Sequence, residues 1–555
     1  MKEELNASIK ELDPRSMQEQ DLRQAVLDLM NVVDKRDGTI AEQAAEIQRL
    51  RDEVSRLKGE QGQPKIKANK PTVDLSSEKE RRESKPHHKS SKQDKIPIDR
   101  EVIVKVDHEQ LPADALFKGY QEVVVQDLEI RSDNILFRKE KYYSPSQKRT
   151  YLADLPAGYH GQFGPKVRAW VVAMYYGGQM SEPKLLEVLH TAGMLVSAGQ
   201  LSDMLIKDQD LFHAESAAVV EAGLKSSPWQ HLDSTGTRVN GTNQHAHVLC
   251  NQLYTFYCTL PSKDRRSYLR VLLGGAAPVF RLNDLAIELL AQLGVSHKWS
   301  QQLGSVLPTE MDCNEKQLDD LLDCHLPKIG PTVRKSVKDA LAIAAYRTQT
   351  SYPVVDLLLC DDAPQFNALT ALLALCWIHE YRHYKKLIPR FLHHAGLLQD
   401  FGKEFWKLYH GCLAYRHHPD PITAAALEAS FDQLFTHTSG YQQLDECKAR
   451  TFEKREQLLM VLAHPEILLH NNPAELGARQ RVRKRDVSLQ ARTKEGIAAW
   501  DTFQTLVATA KKLGVNLFHY LHDRITLANT LPSLATLIGE RAAMMNLGAS
   551  WQLGP

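Results

Sequence analysis

Cysteine is scarce in this chain, and its placement excludes several classes of protein. All eight cysteines among the 555 residues stand at position 250 or later, and none belongs to a Cys-x-x-Cys pair. The pattern therefore predicts neither a disulfide framework nor a cysteine-rich zinc module. Scattered thiols are typical of reduced intracellular proteins, so we expect a cytoplasmic location.

The sequence also lacks the marks of membrane, secreted and nucleotide-hydrolysing proteins. No apolar run reaches the ~18 residues of a membrane span, and the N-terminal residues show no signal-peptide pattern. No phosphate-binding loop and no nucleophile-elbow serine is present. The net charge is +1, because 69 Lys and Arg offset 68 Asp and Glu. A surface that binds a polyanion must therefore be local.

A heptad repeat runs through residues 20–60. Its a positions are β-branched: Val26, Val33, Ile40, Ile47 and Val54. Its d positions carry leucine at Leu22, Leu29, Leu50 and Leu57, with Arg36 and Gln43 as polar interruptions. β-Branched a residues with leucine at d favour a parallel two-stranded coiled coil, so we predict a homodimer or a higher assembly. The alternative is a single amphipathic helix packed on its own domain.

Composition divides the N-terminal half of the chain into four regions. We expect a coiled coil over 1–60, a disordered Lys- and Ser-rich linker over 61–100, and a small β-rich domain over 101–160. Strands are predicted there at 101–106, 122–126, 135–138 and 150–153. Residues 161–226 are predicted to be helical, with helices opening near Ser181 and Ser197 on either side of Gly193. This outline fits a DNA-binding helix-turn-helix, and equally any αα-hairpin.

Residues 227–500 have the pattern of an α/β domain. Three strands are expected at 230–233, 246–251 and 254–260, with Asn240-Gly241 as a hairpin dipeptide. A buried strand is predicted at 353–360 and a helix beginning within 368–375. Helical insertions are expected near 273–350 and 380–465, and a C-terminal helical segment over 501–555. Antiparallel strands, a helical crossover and a parallel strand indicate an RNase H-like fold.

Three acidic residues stand in contexts that suit metal chemistry. Asp233 and Asp361 end predicted strands, and Glu475 opens a predicted helix. Carboxylates are hard ligands that suit Mg²⁺ (or Mn²⁺), and two such ions support in-line phosphoryl transfer. We therefore predict these three as catalytic and metal-binding residues for two ions. Asp362 is an alternative to Asp361, and both aspartate sites have an ordinary reading as turns.

The segment around Glu475 has a second, purely structural interpretation. Asn472 as cap, Pro473 at the first helical position and Glu475 at the third would make a capping box. Basic residues follow on the same helix, and we predict that they contact DNA phosphates: Arg479, Arg481, Arg483, Lys484 and Arg485. The alternative for them is a solvated helix face. A zinc site at Cys376, His379 and His383 is disfavoured, because no fourth ligand is evident.

Taken in order, the motifs resemble the DDE transposases of the insertion-sequence sixty-six family. The resemblance is carried by residues 155–165, Ser181 to Lys184, 231–241, Cys376 to His379, Asn471 to Glu475, and the segment from Thr509 to Leu521. It covers residues 150–530 and the coiled coil. Many relatives carry a cysteine-rich zinc finger after the linker, and the absence of cysteine before position 250 departs from that pattern.

This resemblance implies an RNase H-like catalytic domain with Asp233, Asp361 and Glu475 as its triad. It implies metal-dependent cleavage at the ends of a bacterial insertion element, followed by strand transfer into target DNA. Transposon ends, target DNA and accessory transposition proteins would be the partners. The alternative is a catalytically inactive, dimeric DNA-binding protein derived from a transposase, although the retention of all three acids favours the enzyme.

Overall fold

The N-terminal helix is the longest element of the structure. The computed structural model describes residues 20–58, 96–107, 111–112, 115–128, 130–159 and 161–552. Helix α1 (Gln20–Leu57) confirms the helix that the heptad pattern predicts. The first 19 residues of the predicted coiled coil, and the predicted linker up to residue 95, lie outside the described residues. Much of the heptad stripe is exposed, at Leu22, Leu29, Ile40, Ile47, Leu50, Val54 and Leu57.

One part of α1 rests on the body of the protein through polar contacts. Asp34 is 2% exposed and accepts hydrogen bonds from Nδ1 of His394 (2.6 Å) and the backbone N of Arg390 (3.0 Å). The side chain of Asn31 bonds to the backbone of Gly440 and Gln442. A buried carboxylate needs its partners, so these contacts determine which turn of α1 meets the body. Pairing of the exposed stripe with a second helix stays a prediction.

Only one of the four strands predicted between 101 and 153 is present. Strands β1 (Lys141–Ser144) and β2 (Arg149–Leu152) form an antiparallel hairpin, which agrees with the predicted strand at 150–153. The predictions at 101–106, 122–126 and 135–138 are wrong, since the described residues there form no strand. Val104 and Val125 are 85% and 79% exposed. β-Branched residues favour strands where their side chains pack on a half-buried surface. These two valines are exposed and have no such surface to pack on.

The predicted helical region follows. Its helices are α2 (Pro165–Val172), continued by a π-helical turn (Ala173–Gly177), α3 (Glu182–Thr191), α4 (Ala198–Ile206) and α5 (Asp210–Lys225). Gly193, with a φ of +79°, ends the turn after α3, as expected. Ser197 and Gln200 form a capping box at the start of α4.

A five-stranded mixed sheet lies at the centre. Its strands are β3 (Trp229–Val239), β4 (Thr242–Cys250), β5 (Thr255–Leu260), β6 (Leu357–Cys360) and β7 (Leu372–Leu375), in the order β5-β4-β3-β6-β7. β3, β4 and β5 are antiparallel, whereas β6 and β7 run parallel to β3. The predicted hairpin is confirmed, because Asn240 and Gly241 both have positive φ (47° and 77°).

The helix predicted to begin within 368–375 is wrong, because this segment forms β7. Leu372 to Leu375 pair with the whole of β6, and the helix begins only at Trp377. Pairing with β6 satisfies the backbone groups of this segment and buries its side chains against a neighbouring strand, so the tertiary contact overrides the local helical pattern. The sheet is therefore extended by one strand on its parallel side.

Helices connect and cover the strands. Between β5 and β6 lie α6 (Arg265–Leu272), α7 (Asp284–Gln292), α8 (His297–Val306), α9 (Glu315–His325) and α10 (Pro331–Thr348). After β7 come α11 (Trp377–Tyr384), α12 (Leu392–Tyr415), α13 (Pro421–Thr436), α14 (Gln442–Phe452), α15 (Arg455–Leu458) and α16 (Met460–Ala463). The chain continues with α17 (Asn472–Ser488), α18 (Lys494–Lys512), α19 (Leu517–Ile525) and α20 (Leu534–Met545).

The sheet separates two hydrophobic clusters. Along β6, Leu358 and Cys360 belong to the larger cluster, and Leu357 and Leu359 to the smaller one, as alternation along a strand requires. Helices α11 to α14 supply most of the smaller cluster. Among the described residues, no helix combines the length and the apolarity that crossing a membrane requires.

Candidate active site

The strand register brings two of the predicted acids side by side. His231 of β3 pairs with Leu359 of the parallel strand β6. Asp233 lies two residues further along β3, and Asp361 directly follows β6, so both stand where β6 ends. The prediction that Asp233 ends its strand is wrong, because β3 continues to Val239. Side chains two apart share a face, and neighbouring strands lie about 4.8 Å apart. The two carboxylates are therefore neighbours although 127 residues separate them in the sequence.

Helix α17 brings Glu475 to this edge. Its second turn packs against β4, where a Cβ added to Gly477 would lie 2.6 Å from Cγ1 of Val248. Val248 is the antiparallel partner of Asp233, so both side chains face α17. Glu475 precedes Gly477 by two residues and lies in the first turn of the helix, above Asp233.

A polar brace holds the start of α17 on the sheet. Asn471 accepts a hydrogen bond at Oδ1 from Nδ1 of His231 (3.0 Å) and donates from Nδ2 to the carbonyl of Leu232 (2.8 Å). Its backbone N donates to Sγ of Cys376 (3.3 Å). Burial lowers the pKa of His231 to about 3, so the ring is neutral and can donate from one nitrogen only.

This brace corrects the predicted capping box. The helix begins at Asn472 rather than Pro473, and Asn471 precedes it without a side-chain capping bond. Because the amide of Asn471 is used on β3, it is not available to the helix N-terminus. Glu475 is therefore one residue deeper in the helix than predicted, and its carboxylate is directed to the site.

The electrostatics of Asp233 reflect the other two carboxylates. The pKa of Asp233 is raised to about 7, mainly by burial and also by the negative charges of Glu475 and Asp361. The backbone N–H of Ser234, which donates to Oδ1 of Asp233 (2.7 Å), and the charge of Arg382 act in the opposite direction. A half-buried carboxyl beside two others lacks sufficient positive charge, and a divalent cation would supply it.

The two adjacent aspartates differ in their partners. Asp362 receives Nζ of Lys454 (2.8 Å) and Nε2 of His383 (3.2 Å), and these cationic contacts lower its pKa against the effect of burial. Asp361 instead accepts the backbone N of Ala363 (3.2 Å) and faces Asp233. Asp362 is already neutralised by its neighbours, so Asp361 is the better candidate for a metal ligand.

Unsatisfied atoms mark the Glu475 side of the site. Oε1 of Glu475 and Nδ1 of His379 are both buried without a hydrogen-bond partner, 3.5 Å from each other. Cys376, His379 and Glu475 offer ligand atoms within 4.8 Å of one another. Orphaned buried polar atoms need an explanation, and a cation beside Glu475 would supply one. Asp362, Glu380 and His383 form a second group of this kind, whereas Asp233, Asp361 and Glu475 do not bring their ligand atoms within 4.8 Å of one another. The three carboxylates of the triad nevertheless have the donor chemistry that suits Mg²⁺ or Mn²⁺.

The structure divides the predicted basic cluster into two faces. Arg481 is fully buried, bonded to Asp501 and to Oγ1 of Thr259 (3.0 Å), and its burial lowers its pKa to about 10. Lys484 is also fully buried and donates to the carbonyls of Tyr175 (2.7 Å) and Met180 (3.1 Å). The prediction that these two contact phosphate is corrected, because neither reaches the surface.

The other three cations of α17 remain near the surface. Arg479 and Arg483 are exposed and follow Glu475 at intervals of four residues, which places all three on one side of the helix. Arg485 is partly buried and donates to the carbonyl of Gly236 in β3. Contact of Arg479, Arg483 and Arg485 with DNA stays a proposal.

Sequence reasoning missed three residues of the site. His231 has a signal, since it precedes Asp233 by two residues on a strand and so shares its face. Asn471 also has one, since it lies in the motif from Asn471 to Glu475 that carries the resemblance. Arg382 has none that is independent of tertiary structure. Arg382 donates to Oε2 of Glu475 (3.4 Å), which is 93 residues away in the sequence.

Comparisons with known proteins place part of the candidate site in a matched family segment. Residues 348–499 match the family described as Transposase IS66 family. The matched segment contains Asp361 and Glu475, whereas Asp233 precedes it. The chain is also 29% identical over 329 residues to the uncharacterized protein y4jO of Sinorhizobium fredii, an alignment that covers 58% of this chain and 100% of that protein. The resemblance that the motifs indicate is thus confirmed for the matched segment, and it supports a transposase-related function.

Proposed function

We propose that this protein is a DNA transposase that cleaves the ends of an insertion element and transfers them into target DNA. The observation that carries the proposal is the convergence of Asp233, Asp361 and Glu475 at one edge of the sheet. Residues from two strands and a helix meet there, and each negative neighbour raises the pKa of Asp233. The family match at 348–499 supports the same reaction class.

We infer that residues 227–500 form an RNase H-like catalytic domain. The strand order β5-β4-β3-β6-β7, with three antiparallel strands followed by two parallel ones, supports this inference. In such a domain the first strand is central and bears the first acid. β3 has that place here, and Asp233 lies on it.

Each residue of the triad has a separate task in the proposed reaction. Asp233 interacts with both other acids, so it would share one cation with Asp361 and one with Glu475. Glu475 closes the site from above, and the Asn471 brace keeps it there. Bound Mg²⁺ or Mn²⁺ would supply the charge that stabilises the attacking and leaving oxygens of a phosphodiester. Beyond Glu475, the exposed Arg479 and Arg483 of helix α17 would bind DNA phosphates.

Two further parts of the chain fit the proposal. Helices α3 and α4 would contribute to binding the element ends, as their helix-turn-helix outline suggests. The exposed stripe of α1 would pair with a second copy, so that one assembly holds two DNA ends. The docking of Asp34 on His394 would keep that pairing helix at a constant position on each subunit.

A cleavage assay tests the proposal. DNA from both flanks of the gene, labelled at one end, is incubated with the full-length protein and Mg²⁺ or Mn²⁺ and resolved on a denaturing gel. We expect a discrete nick at matching inverted ends that disappears with EDTA. Asp233→Asn should abolish the nick and retain DNA binding, whereas Asp400→Asn, on the surface of α12, should cleave normally.

The outcomes separate the alternatives. Retained cleavage by Asp233→Asn would remove this residue from the triad. DNA retardation without any metal-dependent product would favour a binding protein, or an enzyme that needs an accessory protein. Cuts at many unrelated sites without joining would indicate a nuclease.

A further inference from the structure

Helix α11 presents one arginine and two histidines to the candidate active site. His379, Arg382 and His383 stand at i, i+3 and i+4, so they lie on one side of the helix. His379 and Arg382 face Glu475, and His383 faces Asp362. None of these three belongs to the predicted triad.

Arg382 is the most exposed of the three side chains, and it acts on two acids of the triad, Glu475 and Asp233. Its guanidinium donates from NH2 to Oε2 of Glu475 (3.4 Å) and from NH1 to Nε2 of His379 (2.8 Å). Its charge also acts on Asp233, on the opposite side of the site. The side chain is 44% exposed, so water and a ligand can reach it.

The contact with His379 determines how the ring is oriented. A guanidinium only donates hydrogen bonds, so Nε2 of His379 accepts, and the proton of the neutral ring stands on Nδ1. That N–H faces Oε1 of Glu475 at 3.5 Å. Arg382 and His379 thus each face one Glu475 oxygen. The contact of Arg382 is long, and the pair of Nδ1 and Oε1 forms no hydrogen bond.

Resting on the proposed function, we propose that Arg382 binds the DNA phosphodiester at the active site, and that its ion pair with Glu475 is the position it leaves for this purpose. An arginine fork matches two phosphate oxygens better than a single long contact to a carboxylate. Lys454, the cation beside Asp362, already forms ion pairs with both Asp362 and Glu380. Among the described residues, Arg382 is exposed and also contacts an acid of the triad directly.

The proposal predicts competition between Arg382 and a divalent ion for Glu475. A residue that only held Glu475 in place would help a metal to bind. A residue that leaves Glu475 for phosphate would hinder it slightly, because its positive charge stands at the same carboxylate. Metal affinity in the absence of DNA therefore distinguishes a phosphate ligand from a structural support.

Three full-length variants test the inference: Arg382→Gln, Arg382→Lys and, as a control for charge, Lys386→Gln on exposed chain just beyond α11. Mn²⁺ affinity is measured by calorimetry without DNA. For Arg382→Gln we expect Mn²⁺ binding to be about threefold tighter, the scale of a partly exposed ion pair. Lys386→Gln should match the wild type.

DNA binding and cleavage provide the second readout, with a duplex from the flank of the gene. In Ca²⁺, the salt dependence of Arg382→Gln binding should lose about one unit of slope, as for one phosphate contact. With Mg²⁺, its cleavage rate should fall about 100-fold, the scale of one charge-stabilising donor. Arg382→Lys should recover part of the rate, because it keeps the charge without the fork.

Weaker Mn²⁺ binding by Arg382→Gln would overturn the inference in favour of a structural support, and so would an unchanged salt slope or unchanged cleavage. Failure of the proposed function looks different. If the wild type gives no product at all, the Mn²⁺ affinity and the salt slope still decide: changes as predicted support Arg382 as a phosphate ligand, and unchanged values overturn it.

Discussion

The buried arginine of α17 allows a test of which cations of this helix stabilise the fold and which ones bind DNA in the proposed function. Arg481 lies between the rings of Tyr257 and Trp500, 5.6 and 5.7 Å from their centroids, and pairs with Asp501. Arg483, two residues on, is exposed. The same substitution to methionine at each position keeps a long side chain and removes the charge.

The expected magnitudes differ by far more than the error of measurement. Arg481→Met leaves the carboxylate of Asp501, which is 18% exposed, without its cation, and breaking such a pair costs about 3–5 kcal/mol. The double variant Arg481→Met, Asp501→Asn should recover part of this loss, since no unpaired charge remains. Arg483→Met should change the free energy of unfolding by less than about 0.5 kcal/mol.

Urea unfolding followed by circular dichroism measures these differences in stability. DNA retardation at several salt concentrations measures DNA binding by the same variants. Arg483→Met should weaken DNA binding and lower the salt slope by about one unit. If Arg481→Met proved as stable as the wild type and lost DNA affinity, the buried position of Arg481 would be refuted, and with it the division of α17 into two faces.

Two other predictions concern the same helix. Gly477→Ala should lower the free energy of unfolding in urea by about 1–3 kcal/mol, because its Cβ would lie 2.6 Å from Cγ1 of Val248. The control Gly304→Ala on α8, whose Cβ would have no atom within 4 Å, should raise that free energy by about 0.5–1 kcal/mol. Equal effects of the two substitutions would contradict the close packing of α17 on β4. Burial lowers the pKa of Lys484 to about 7, so the unfolded chain binds one proton more than the folded chain between pH 7 and the ordinary lysine pKa. Wild-type stability should therefore rise relative to Lys484→Met by about 1.4 kcal/mol per pH unit in that window, as seen in unfolding at pH 7, 8 and 9, and parallel pH profiles would show that Lys484 stays charged.

Short-range patterns were sufficient for much of the secondary structure. The helix of the heptad repeat, the Asn240-Gly241 turn and the helix start at Ser197 are each predicted by local signals, and each is confirmed. Patterns that need a partner were less reliable. The β-branched runs at 101–106 and 122–126 find no strand to pair with, whereas 372–375 is a strand because β6 lies beside it.

The sequence by itself determined the chemical types at the candidate site: two aspartates that follow apolar residues, and a glutamate at the start of a helix. It did not determine their partners. The choice between Asp361 and Asp362 depends on Lys454, 92 residues away, and the division of α17 into a buried and an exposed face depends on what buries Arg481. Local sequence sets propensity and periodicity, which act over a few residues. Charge neutralisation, burial and strand register act between residues far apart in the chain, so only the tertiary structure decided which carboxylates share the site and which cations are left for a ligand.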